Sequence, residues 1–98
     1  MTLLGWFKAN AQRGKIIRTS LMVVNSQGDW VTESERVDSY WYYSPMGNST
    51  NSDLVVGEIG MNPVHFRGDH PVTPIYGGGA ELELTDHMSY RFWKVQED

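Results

Sequence analysis

Three histidines and one aspartate are the residues of this chain best suited to reactive chemistry. His65, Asp69 and His70 fall within six residues, and His87 follows seventeen later. Histidine and aspartate ligate zinc, and a third histidine could close a site that keeps one position open for water. The spacing fits no established ligand motif, and Gly68 and Pro71 place the cluster in a loop. His65, Asp69, His70 and His87 are therefore metal candidates on residue type alone, and the expectation is that no metal or cofactor is bound. Asp69 and His70 would need a serine to form a hydrolytic triad, which geometry and not sequence defines. No Gly-x-Ser-x-Gly elbow is present.

Glu33 with Glu35, and Glu81 with Glu83, stand two residues apart and so share one side of a strand. Paired carboxylates do acid–base work when one of them is buried and stays protonated. On a strand the same spacing marks the wet face of a sheet, or an edge protected against aggregation. Gly77-Gly78-Gly79 has the composition of a phosphate loop but leads into Ala80-Glu81-Leu82-Glu83-Leu84, which is acidic and strand-like. A phosphate loop needs a helix N-terminus at that point. Arg67-Gly68-Asp69 spells an integrin-binding tripeptide, a match short enough to arise by chance.

The remaining candidate is aromatic. In Tyr40-Trp41-Tyr42-Tyr43, strand alternation sends successive rings to opposite faces. Val31, Val37, Trp41 and Tyr43 share one parity and are expected inward. Trp30, Thr32, Ser34, Arg36, Asp38, Tyr40 and Tyr42 share the other and are expected outward. Trp30, Tyr40 and Tyr42, with Arg36 beside them, would form a contact surface, because tyrosine, tryptophan and arginine dominate binding hot spots. Glu33, Glu35 and Ser39 interrupt the inner set, and a bulge near Glu35 would restore it.

These residues need a scaffold. Thr2 can cap a short helix that Gly14 ends, with Leu3, Phe7 and Ala11 in one stripe, Leu4 beside them, and a sheet beneath as its partner. Ile16–Tyr43 reads as a long hairpin turning at Ser26-Gln27-Gly28-Asp29. Leu21-Met22-Val23-Val24, apolar on both faces, is expected to be covered on both. Pro45–Asp53 is a polar loop. Leu54–Ile59 is a strand, short strands fit at Val64–Phe66 and Val72–Tyr76, and Glu81–Leu84 and Met88–Val95 close as a hairpin around Asp86-His87. The fold expected is mainly β: a small antiparallel sandwich or barrel of five to seven strands with one short N-terminal helix.

Ninety-eight residues make one domain, 1–98, with a helical basic arm over 1–14 and a sheet body over 15–98. Twelve aromatics supply core area and the absence of cysteine removes thiol chemistry. Residues 1–28 carry Lys8, Arg13, Lys15 and Arg18 and no acid, whereas all twelve acids lie after them. Four cations are few for nucleic acid, where roughly 6–10 phosphate contacts are common. No stretch resembles a signal peptide or a membrane span, so a cytoplasmic or virion-associated place is the default expectation. The function expected is non-catalytic protein–protein contact, as a subunit of an assembly of the viral structural or accessory kind or as a small inhibitor of a larger protein. Its partner would be another protein or a second copy. The alternatives are a small-ligand or carbohydrate-binding barrel with an aromatic platform, and a small metal-assisted enzyme.

Overall fold

A computed structural model describes residues 1–11, 17–44, 53–58 and 60–95. Its elements are α1 (Leu3–Asn10), β1 (Ile17–Val24), β2 (Trp30–Asp38), β3 (Tyr40–Tyr43), β4 (Leu54–Gly57), β5 (Val64–Phe66), β6 (Thr73–Ile75), β7 (Gly79–Thr85) and β8 (Met88–Lys94). All strand pairs are antiparallel. One sheet has the order β2-β1-β8-β7-β6, and the other β3-β4-β5. This is the expected mainly β sandwich with one N-terminal helix. Among the described residues the strand number reaches eight, because the long ribbon from Trp30 to Tyr43 breaks at Ser39 and contributes to both sheets.

The helix forms as its sequence requires. Thr2 Oγ1 accepts the Gly5 amide at 3.1 Å, and the Thr2 carbonyl accepts that of Trp6. The Leu3 and Leu4 amides go to the carbonyls of His70 and Gly68. The opening amides of the helix are thus all used, and none is left for an anion. Leu3, Phe7 and Ala11 are wholly buried, with Trp6 beside them. They meet Ile17, Leu54, Val56, Phe66, Ala80, Leu82 and Phe92 in one core drawn from the helix and both sheets. Phe92 is the hub, with Trp6, Phe7, Phe66 and Tyr90 at ring-centroid distances of 5.4–6.3 Å.

The turn between β1 and β2 is organised by Asn25, whose side chain accepts the amides of Gln27 and Asp29. A bulge follows in β2: Leu21 faces Ser34 but Met22 faces Thr32, so Glu33 is the extra residue. It lies two residues from the expected position. It also separates Val31 from Val37, which pair with Val23 and Arg18 on opposite faces of the sheet. Both valines are exposed, while Asp38, expected outward, is buried. The parity expected for this strand is therefore corrected by the bulge, and by the ion pair that draws Asp38 inside. Met22 is buried as expected, but Leu21, Val23 and Val24 remain half-buried.

The three glycines after Tyr76 have a structural reason. Gly77 and Gly78 hold φ of 70° and 74°, values that L side chains avoid. A Cβ at Gly79 would sit 2.6 Å from the Trp93 indole. The turn accepts two indole N–H groups, Trp6 Nε1 at the Gly78 carbonyl and Trp93 Nε1 at the Tyr76 carbonyl. It therefore fastens the helix to β8.

Candidate functional site

The aromatic run becomes β3, and four features hold it in place. At its start, Arg36 and Asp38 join the two sheets. Asp38 is 2% exposed and accepts hydrogen bonds from Thr19 Oγ1 and Arg36 Nε. Arg36 Nη2 lies 2.9 Å from Asp38 Oδ1 and donates across the gap to the Val56 carbonyl on β4. Arg36, expected beside the contact surface, is thus engaged in a structural tie. Behind the strand, Trp41 is half-buried against Phe7, and its Nε1 donates to the Ala11 carbonyl.

In front, Tyr40 lies over Gly57, where a Cβ would meet the tyrosine hydroxyl at 2.5 Å. Glycine opposite Tyr40 therefore lets that ring lie flat. Tyr40 and Tyr42 stack at 6.3 Å with 10° between their planes. At the far end, Tyr43 and Asp53 both stand beside Gly68, whose amide donates to Asp53 Oδ1. Partial desolvation, and then the Asp53 carboxylate, push the Tyr43 phenol above the ordinary tyrosine range.

Tyr42 is 50% exposed and Tyr43 42%. Tyr43 was expected inward with Trp41, but the covered face ends at Trp41 and leaves Tyr43 on its margin. Trp30 is exposed as expected but stands elsewhere. It begins β2 opposite Val24 in the five-stranded sheet, ten residues from Tyr40. The three rings do not form one platform.

Among the described residues, the two sheets have four edge strands: β2, β6, β3 and β5. Natural sheets protect their edges with charge, proline, bulges or brevity. β2 carries the Glu33 bulge and Glu35, β6 has three residues including Pro74, and β5 has three residues between Pro63 and Arg67. β3 is also short, at four residues, but residues 39–44 contain neither charge nor proline. Among the described residues, no strand pairs with its outer side.

The histidines divide between two places. His65, Arg67 and His70 rim a cleft of about 230 Å³ floored by Val64, Phe66, Leu82 and Tyr90. His70 also borders a more polar hollow of about 400 Å³ with Glu81, Glu83 and Asp86. His87 lines neither and sits in the exposed β7–β8 turn. Among the described residues, no group of three or more His, Cys, Asp or Glu side chains is arranged to hold a metal ion. Asp69 is paired with Arg67, whose hydrogen bond leads in holding that carboxyl below the usual carboxylate range. Arg67 and Asp69 therefore close on each other across the buried Gly68. Glu81 bonds Arg91 at 2.7 Å on the outer face of the large sheet.

No protein-family model matches this chain, and no curated protein or solved structure does. No helix among the described residues is long and apolar enough to cross a membrane.

Proposed function

We propose that this chain is a non-catalytic contact protein, acting as a subunit of an assembly or as an inhibitor of a larger protein, and that its contact surface is the outer edge of β3. There an extended segment of another chain adds to the three-stranded sheet. Main-chain hydrogen bonds give such an interface its affinity, and the exposed rings of Tyr42 and Tyr43 give it selectivity. The observation that carries this reading is the contrast among the four edges. A strand edge without charge or proline that bears half-exposed tyrosines is a liability unless a partner covers it.

The carbohydrate-platform alternative draws less support, since Tyr40 and Tyr42 turn their faces toward each other and Trp30 lies in the other sheet. Catalysis through the histidines draws less as well, because His65 and His70 share a cleft that His87 does not reach.

Tyr42→Lys tests the proposal against Glu33→Lys on the β2 edge. A lysine at Tyr42 puts an unpaired charge at the centre of the contact, so co-purification with the native partner should fall at least about tenfold. The Glu33 variant should bind as the wild type does. Equal binding by both variants overturns the reading, and so does unfolding of Tyr42→Lys, which would make that ring part of the core.

A further inference from the structure

We infer that the strand which completes β3 comes from a second copy of this chain, related by a two-fold axis through Tyr42. This rests on the strand-addition reading above and names its partner. The argument begins with backbone direction. The Ser44 amide donates to the Asp53 carbonyl at 2.7 Å, so Ser44 and Asp53 form a hydrogen-bonded pair. In an antiparallel ladder such pairs recur at every second residue. Tyr42 opposite Val55 and Tyr40 opposite Gly57 are then also hydrogen-bonded. The N–H and C=O groups of Trp41 and Tyr43 point the other way, toward the outer edge.

Two outward-facing residues flanking one inward-facing residue make a self-complementary pattern. Antiparallel pairing about Tyr42 sets Trp41 of each copy opposite Tyr43 of the other, and each such pair exchanges two hydrogen bonds. Tyr42 then faces Tyr42 of the second copy at a non-hydrogen-bonded site, where Cα atoms approach to about 4.5 Å. On that face, the parallel stack of Tyr40 on Tyr42 continues into the same stack of the other copy. On the opposite face, each exposed Tyr43 meets the other copy's Trp41, an aromatic cross-strand pair.

Charge points the same way. The chain carries a net charge of −4, so two copies repel except where they meet through neutral surface. Residues 39–44 provide such a surface. The β2 edge does not: a two-fold axis through Ser34 would set Glu33 of one copy against Glu35 of the other. The area is small. A four-residue strand with two half-exposed rings buries far less than the ~800 Å² per partner of a standard interface. The dimer is accordingly weak and depends on concentration.

The chain contains no cysteine, so one introduced thiol can report on the axis. Tyr42→Cys places two thiols at a separation a disulfide spans, about 4.4–6.8 Å between Cα atoms. With oxidised glutathione as oxidant, Tyr42→Cys should form a linked dimer at least about tenfold faster than Glu33→Cys at the same concentration. Linkage no faster than in Glu33→Cys overturns the two-copy inference. The strand-addition reading is decided separately, by whether Tyr42→Lys loses the native partner. Should Tyr42→Cys fail to fold, sedimentation of the wild type decides. Self-association between tens of micromolar and about one millimolar that Tyr42→Lys abolishes supports the inference, and a monomer throughout that range overturns it.

Discussion

Tyr43 departs from its sequence expectation, and its chemistry gives a direct check. Its phenol is raised by partial desolvation and then by Asp53. A raised folded value means that the folded state holds its proton more tightly. The stabilisation is complete below about pH 10, the ordinary tyrosine value, and is lost as pH rises through the folded value. Asp69 has the opposite sign. Its carboxyl is lowered chiefly by Arg67, so its contribution is present above about pH 3.9 and disappears as pH falls through the folded value. Replacing Asp53 with Asn removes the carboxylate beside Tyr43. A spectroscopic titration of phenolate should then show one tyrosine ionising at lower pH than in the wild type, still above the ordinary range because desolvation remains. An unchanged titration would separate Asp53 from the Tyr43 hydroxyl. Parity alone identified Tyr42 as exposed. It misplaced Tyr43, because alternation says which side a ring takes and not how far the cover on that side extends.

At the scale of elements, the break at Ser39 decides the architecture. The helix was legible from Thr2 and the Leu3–Phe7–Ala11 stripe, and the two terminal hairpins from alternation and turn residues. The sheet change at Ser39 was not, since one ribbon and two strands in different sheets have the same local pattern. What distinguishes them is Asp38, which looks solvent-facing in sequence but is buried with Arg36 and Thr19. Asp38→Ala leaves Arg36 and Thr19 without their acceptor. Removing one partner of a buried pair costs about 3–5 kcal/mol. Arg36 keeps a third of its side-chain surface in water, which reduces the expected loss to roughly 2–3 kcal/mol in urea denaturation. A loss below about 0.5 kcal/mol, the range of neutral surface changes, would mean that the corner holds without this tie. Nothing local to the glycine run shows its part in clamping two tryptophans, because the partners come from Trp6 and Trp93, far away in the chain.

For the whole molecule, the first and last strands lie side by side at the centre of the large sheet. The chain crosses to the small sheet after β2 and returns after β5. The core cannot close until residues from both ends have met, so β3 is held by contacts from across the sequence: Ala11, Arg36, Gly57 and Asp53. Among the described residues, such support presents in a fixed orientation the one edge strand that lacks both charge and proline, within it and immediately beside it. Charge and proline content made that contrast readable from the sequence once the strand order was known, and not before.

The exposed edge of β3 is tested most directly by hydrogen exchange of its own amides, resolved residue by residue. In the free chain, Tyr42 should exchange slowly through its bond to β4, and Trp41 and Tyr43 quickly. On assembly, Trp41 and Tyr43 should slow by at least about tenfold, as newly paired strand amides do. If those two amides are already as protected as Tyr42 in the monomer, or stay fast when the assembly forms, β3 is not where this protein makes contact.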